Sequence, residues 1–242
     1  MKLAGKIAVV TGAGRGIGRA IAIDLAREGC HVVITSRTQT DLESVAAEIT
    51  SLGVRALPLS LDLALVASIE ALVARTIADF GTIDILVNNA AVLYAAPLLS
   101  AGVEEWDRTM TVNLRSVFLL SQKVLAWMKE QRSGYIINIS SVGAFGAKPD
   151  VAAYCISKVG LVALAQSLYT VAKEFGVKVS TVYPGVTDTD MVREANHDGA
   201  LGGPELWMQP EDIANCVLFL LKQSSRVVVK DLVPWAVRYD RI

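Results

Sequence analysis

The chain has 242 residues, of which 52% are hydrophobic and 19% charged, with 23 basic residues against 24 acidic ones. That length and apolar fraction exclude a disordered chain and allow a sizeable buried core. A formal net charge of −1 leaves no basic field to gather phosphate backbones, so nucleic acid is not an expected partner.

Short β-rich runs alternate with longer amphipathic ones. A strand over 7–11 leads into a helix over 17–28, a strand over 31–35 into a helix over 41–52, and a strand over 55–59 into a helix over 66–80. The run 83–87 precedes a long helical stretch over 104–129, and 135–140 precedes another over 152–175. The strand 178–183, the helix 211–222 and a last β-rich run over 226–233 complete the pattern. Thr40 followed by Glu43 predicts a capping box opening the second helix, and Pro210 before Glu211 and Asp212 predicts a helix start. Strand–helix alternation predicts right-handed crossovers, hence an α/β fold: a doubly wound parallel sheet of seven strands with helices on both faces. No repeat or linker divides the chain, so residues 1–242 read as a single domain.

A mean hydropathy of +0.44 raises the question of a membrane span. The longest uncharged stretch, residues 85–103, is interrupted by Asn88, Asn89, Pro97, Ser100 and Gly102. The first ten residues lack the apolar core and cleavage site of a signal peptide. Strands covered on both faces read as unbroken Val/Ile/Leu runs, which explains the hydropathy without a membrane. Cys30, Cys155 and Cys216 form no paired framework, which fits a cytoplasmic location. His31 and His197 are too isolated for a metal site and read as surface or loop residues.

The first strand runs into Thr11-Gly12-Ala13-Gly14-Arg15-Gly16-Ile17-Gly18, followed at once by a helical pattern. Glycines allow positive φ and close backbone approach, so a pyrophosphate can rest on the helix N-terminus. With a strand before and a helix after, the turn reads as dinucleotide-binding. A cofactor with a free 2′-hydroxyl usually meets an acidic residue at the end of the second strand, but this chain has Thr35-Ser36-Arg37 there. Arg37 and Arg15 could clamp a 2′-phosphate by charge-assisted hydrogen bonds, which favours NADP(H) over NAD(H).

Tyr154 and Lys158 are spaced i, i+4 and share a helix face. An ammonium one turn away favours the phenolate and would bring the tyrosine toward a working pKa. The strand ending Asn138-Ile139-Ser140-Ser141 places hydroxyls at a carboxyl strand end, where open α/β sheets bind ligands. A further polar strand end, Asn88-Asn89-Ala90-Ala91, follows residues 85–87.

With T-G-x-x-x-G-x-G at 11–18, Asp62, N-N-A-A at 88–91, Asn113, Ser-Ser at 140–141, Y-x-x-x-K at 154–158 and P-G at 184–185, the chain resembles the short-chain dehydrogenase/reductase family over nearly its whole length. The resemblance implies a single-domain Rossmann fold and a Ser/Tyr/Lys/Asn tetrad of Ser141, Tyr154, Lys158 and Asn113. Asn113 would hold a water linking Lys158 to solvent. Ser141 and Tyr154 would bind the carbonyl oxygen, with Tyr154 delivering the proton; Lys158 would lower the tyrosine pKa and hold the nicotinamide ribose. The cofactor would be held by Gly12, Arg15, Gly16, Ile17, Gly18, Ser36, Arg37, Asp62, Leu63, Asn88, Ala90, Tyr154, Lys158, Pro184, Gly185, Val186 and Thr189. Ala91 departs from the glycine more usual in that motif, and Asp62 could equally cap the following helix.

Substrate contacts are expected from Tyr94, Phe145, Tyr183 and Trp207, with Leu93, Met191, Leu206 and Met208 as further apolar lining and residues 189–209 as a lid containing Gly199, Gly202 and Gly203. The linings favour a hydrophobic ketone or aldehyde, reduced with NADPH. Local stretches resemble dicarbonyl and L-xylulose reductases, while the general motifs are similar to those of 3-oxoacyl-carrier-protein reductases; a thioester reductase is the alternative. A dinucleotide-sensing scaffold without turnover and a lyase or isomerase on the same fold are the readings from other classes. The tail Val227-Val228-Val229-Lys230-Asp231-Leu232-Val233-Pro234-Trp235 departs from the family's glycine-rich ending. Apolar excess in 104–129 and 152–175 points to a homo-oligomer, a tetramer or dimer.

Overall fold

A computed structural model describes residues 2–196 and 199–237. Seven parallel strands, β1 (Ile7–Thr11), β2 (His31–Ser36), β3 (Ala56–Ser60), β4 (Ile85–Asn88), β5 (Gly134–Ile139), β6 (Val177–Val182) and β7 (Asp231–Leu232), form one sheet in the order β3-β2-β1-β4-β5-β6-β7. The helices are α1 (Gly16–Arg27), α2 (Gln39–Ser51), α3 (Val66–Phe80), α4 (Val103–Met110), α5 (Ser116–Gln131), α6 (Ala152–Ala172), α7 (Asp190–Ala195) and α8 (Pro210–Lys222). Strand order reverses between β1 and β4, which opens a crevice at their carboxyl ends.

The strand side chains divide by the two-residue period of the pleat. Ala8, Val10, Val32, Ile34 and Ile137 enter one core with α1, α2 and α8, while Ile7, Val9, Val33, Leu86 and Ile136 enter another with α3, α5 and α6. Both faces being covered, β1, β4 and β5 are buried throughout, and the unbroken apolar runs are explained. The segment Pro149–Phe175 is, among the described residues, long and apolar enough to cross a membrane by length and composition. Here α6 instead packs along the sheet, burying Cys155, Ser157, Lys158, Leu161 and Ala165.

Three expectations are corrected. Thr40 makes no capping box: α2 starts at Gln39 behind Thr38, and Gln39 Nε2 takes the Glu43 carboxylate at 2.9 Å. The helical stretch over 104–129 is unbroken, running from α4 through a π-turn over Thr111–Arg115 into α5. The last strand shrinks to two residues. Lys178 Nζ donates to the carbonyls of Ser224 and Val227, and Ser180 Oγ to that of Val229, so side chains of β6 occupy positions a longer ladder would need. His31 is no idle loop residue either: it opens β2, stacks on Phe80 at 6.0 Å and accepts the Arg55 N–H at 3.0 Å. His197 lies outside the described residues. Pro210 does open α8, where Asp212 accepts the Gln209 N–H at 2.8 Å.

Candidate active site

The glycine turn is held from behind by β4. The Thr11 hydroxyl accepts the N–H groups of Asn89 (2.9 Å) and Ala90 (3.0 Å), while Asn89 Nδ2 donates back to the carbonyls of Thr11 (2.9 Å) and Gly12 (3.2 Å). Gly12 and Gly16 sit at φ +65° and +55°, where a side chain is strained. A Cβ on Gly12 would come within 2.9 Å of Ala90 Cα, and one on Gly18 within 2.3 Å of the Gly12 carbonyl oxygen. Three glycines therefore serve one purpose, letting the start of α1 approach the crevice.

That crevice is a cleft of about 460 Å³ along the carboxyl ends of the strands. At one end lie Ser36, Arg37, Asp62 and Leu63, close to the Gly12–Ile17 turn with Arg15. Two of these side chains already have partners. Arg15 pairs with Asp190 of α7 at 3.0 Å, an exposed bridge across the cleft mouth, so its guanidinium is shared between turn and lid. Burial works to raise the Asp62 carboxyl. The Ala64 N–H at 2.9 Å and the Arg108 guanidinium outweigh it and hold the group below the usual carboxylate range. Asp62 does not cap α3, whose N-cap is Leu65; it closes a turn two residues ahead.

At the other end Ser141, Tyr154 and Lys158 face the cleft, with Pro184, Gly185, Val186 and Thr189 opposite. Ser141 follows β5 and caps a 3₁₀ turn, accepting the Gly143 N–H at 3.1 Å. Tyr154 and Lys158 stand one turn apart on α6. Burial dominates the electrostatics here. Burial pushes the Tyr154 phenol up to about 12, although the Ser141 hydroxyl opposes the rise. Lys158 Nζ donates to the Ile139 carbonyl at 2.9 Å and lies 5.4 Å from the phenol ring centre, its charge turned to the ring face. Burial brings the ammonium down to about 8. The site thus holds a neutral phenol, a hydroxyl and a readily discharged amine.

Several predicted contacts fall elsewhere. Asn88 is the last residue of β4, paired with Asn138, and its amide donates to Ser121 Oγ (3.0 Å) and Asn138 Oδ1 (2.9 Å) inside the fold. Its neighbour Asn89 is the one that faces the cleft, with Ala90 and Ala91. Gly18 packs under the turn rather than lining it. Asn113 is 1% exposed, and its side chain is spent on both Val92 backbone groups (2.8 and 2.9 Å) and on Ser157 Oγ (3.1 Å). Its amide fixes the wall of the cleft.

None of the four substrate candidates lines the cleft. Tyr94 borders a separate apolar pocket with Trp106 and Ala153, and Trp207 is buried with its indole donating to the Leu201 carbonyl at 2.9 Å. Tyr183 is buried with its hydroxyl on Asp231, and the exposed Phe145 lies against it with ring centres 4.8 Å apart. Leu93 and Met191 do face the cleft, as do Val92, Arg108 and Val192. Arg108 carries no motif; it lies within an amphipathic helix and becomes visible only when α4 meets Asp62. Among the described residues no cluster of metal-ligating side chains occurs.

The chain matches the family model for short chain dehydrogenase over residues 6–200. It is 36% identical to a sepiapterin reductase of Chlorobaculum tepidum over 234 residues, covering 94% of each chain. A metagenomic short-chain oxidoreductase solved in complex with NADP superposes with a TM-score of 0.84 at 34% identity, covering 97% of this chain and 99% of that one. A 3-ketoacyl-(acyl-carrier-protein) reductase from Brucella melitensis, complexed with NADH, gives a TM-score of 0.87 at 30% identity, covering 98% and 99%. Fold, motif order and these likenesses agree, and the chain belongs to the short-chain dehydrogenase/reductase family of oxidoreductases.

Proposed function

We propose that the chain reduces a ketone or aldehyde to an alcohol, reversibly, with NADPH as the donor. The observation that carries this reading is one cleft with Ser141, Tyr154 and Lys158 at one end and Arg15 and Arg37 at the other. The cleft fits a dinucleotide by its own shape: glycines stand where Cβ atoms would fill the turn, and backbone N–H groups open α1 beneath it. Gly12, Gly16 and Ile17 would hold the pyrophosphate, Arg37 the 2′-phosphate, Asp62 and Leu63 the adenine, and Pro184 to Val186 with Thr189 the nicotinamide end. When bound, the nicotinamide supplies the hydride, or accepts it in the reverse direction.

The chain's own residues handle the oxygen. Tyr154, neutral at physiological pH with its pKa pushed up to about 12, donates a hydrogen bond to the carbonyl oxygen and then its proton as carbon is reduced. Ser141 offers a second donor to the same oxygen. Lys158, within the charged range below about pH 8, steadies the negative charge that develops on the phenol. The apolar Leu93, Val92 and Met191 favour a hydrophobic carbonyl substrate over a sugar phosphate. Residues 189–209 form the lid, anchored by the Arg15–Asp190 bridge and the Thr187–Met208 pairing.

The test is a panel of diketones, aromatic ketones, ketoses and 3-oxoacyl thioesters with NADPH and NADH. Stoichiometric NADPH consumption on an apolar ketone is expected; faster turnover with NADH at limiting cofactor would remove the role given to Arg37. A second reading, a 3-oxoacyl thioester reductase, is favoured by the likeness to the Brucella melitensis enzyme and would show as highest kcat/KM on the thioesters. Cysteine usage supports a cytoplasmic enzyme. The exposed Phe118 and Trp127 of α5 and Ile156, Val159 and Val171 of α6 support assembly as a homotetramer or dimer.

A further inference from the structure

Tyr183, one residue before the Pro184-Gly185-Val186 wall of the cleft, is 2% exposed yet keeps a polar group at its tip. Its hydroxyl donates to Asp231 Oδ1 at 2.7 Å, at the first residue of β7. Its backbone N–H donates to the Leu232 carbonyl at 2.8 Å, and two residues on the Gly185 N–H reaches the Pro234 carbonyl at 3.2 Å. A strand of two residues is a weak edge, and these bonds attach it to the cleft wall. On its other side the ring carries Phe145, with centres 4.8 Å apart at 34°. Phe145 ends the turn that Ser141 opens, and within that turn the Val142 N–H donates to the Pro184 carbonyl at 3.0 Å.

One side chain therefore touches three segments: the tail, the cleft wall and the turn presenting the Ser141 hydroxyl. Burial keeps the Tyr183 phenol neutral, and the Asp231 carboxylate accepting its proton raises it further. The hydroxyl is thus a permanent donor at working pH. Nothing in the cleft reaches Tyr183, so it can act only through what it holds. Asp231 is exposed at the edge of the sheet and belongs to neither core. The consequence of the bond is local.

We infer that Tyr183 is a positioning residue, which through Asp231 and Phe145 sets the Ser141 turn against the Pro184–Val186 wall. The inference rests on the reductase reading for its kinetic readout, but not for its binding readout. Tyr183→Phe keeps the ring and deletes the bond; Asp231→Ala deletes the acceptor; Asp231→Asn keeps an acceptor oxygen. Each is compared with the parent chain for NADPH affinity by nicotinamide fluorescence, for kcat and KM on the best carbonyl of the panel, and for Tm.

Tyr183→Phe and Asp231→Ala should each lower kcat about tenfold, roughly 1.4 kcal/mol of barrier, with NADPH affinity weakened severalfold and carbonyl KM little changed. Asp231→Asn should stay within twofold of the parent. Phe145→Ala, at a 63% exposed position where folding is safe, should lower kcat and leave NADPH affinity unchanged. Either deletion keeping kcat and NADPH affinity within twofold, with only Tm moved, would overturn the inference by making the bond merely structural. An Asp231→Asn variant as impaired as Asp231→Ala would also overturn it. If the parent chain turns over no carbonyl, the reductase reading fails by itself. The inference then stands or falls on NADPH affinity, weakened in both deletions and kept in Asp231→Asn.

Discussion

The two sides of the cleft are built on different principles. On the side of β1 and β4 the geometry is fixed by backbone: glycines at positive φ, a threonine hydroxyl receiving two N–H groups, and contacts that leave no room for a Cβ. On the side of β6, β7 and α7 it is fixed by side chains meeting at a distance in sequence, such as Tyr183 with Asp231 and Arg15 with Asp190. Backbone demands restrict which residue can stand at a position; side-chain pairs admit many solutions. The first side is therefore conservative in design and the second free to specialise.

Glycine substitutions test that contrast most severely. Gly18→Ala drives a Cβ to 2.3 Å from the Gly12 carbonyl oxygen, so turn or helix must shift. The expected cost is about 3 kcal/mol, with NADPH affinity lost or reduced by at least a hundredfold, read by thermal melts and nicotinamide fluorescence. Gly146→Ala, in the loop beyond the Ser141 turn, meets nothing within 4 Å and should leave both values unchanged. Equal damage from the two would erase the distinction between the sides.

Tyr154→Phe comes next. Removing the phenolic hydroxyl should cut kcat by roughly 10²–10⁴ while NADPH affinity stays within twofold, because the ring remains in place on α6. Retention of most turnover would move the proton donor elsewhere.

Lys158 yields a prediction of sign. Its folded pKa of about 8 lies below the ordinary 10.5, so between those values the unfolded chain binds more protons and stability rises with pH. The rise amounts to about 3 kcal/mol at roughly 1.4 kcal/mol per unit. Cys30 and Cys216 act oppositely above their ordinary 9.0 and Tyr154 above its ordinary 10, leaving pH 8 to 9 as the clean window. Lys158→Met should abolish the rise in Tm across that window and cut turnover sharply. In the parent chain the reductive kcat should fall with a midpoint near pH 8 as the ammonium discharges.

These cases also show why the sequence was readable unevenly. The glycine turn, the parallel sheet, Ser141, Tyr154 and Lys158 were legible because spacing encodes them: the turn needs Gly at fixed offsets, and i, i+4 puts two side chains on one helix face. Choosing Asn88 over Asn89 failed because the pleat alternates, and β4 runs one residue further than the pattern suggested. The π-turn at Asn113 was illegible, since the partners of the Asn113 amide are the Val92 backbone groups outside the helix. Arg108 was missed for the same reason, and the aromatic candidates failed because apolar character cannot tell a wall from the core behind it. Tyr183 and Trp207 are both nearly fully buried.

The smallest effect belongs to Trp207, which separates a lid that merely covers from one that selects. Its indole N–H donates to the Leu201 carbonyl at 2.9 Å, and Asn196 ties down the Leu201 N–H (2.7 Å) and the Gly202 carbonyl (3.0 Å). These bonds hold Asn196, Leu201, Gly202 and Trp207 together next to Met208, whose N–H donates to the Val186 carbonyl at 3.0 Å on the cleft wall. Trp207→Phe keeps the ring and loses one hydrogen bond, worth about 1 kcal/mol. Since the ring does not face the cleft, carbonyl KM should change less than threefold and uniformly across small and bulky ketones. Met191→Ala, on the cleft surface, should instead change KM selectively, raising it for bulky apolar ketones and sparing small ones. A selective response to Trp207→Phe would mean that the side-chain-built half of the cleft transmits substrate shape through its own packing, not only through the residues that touch it.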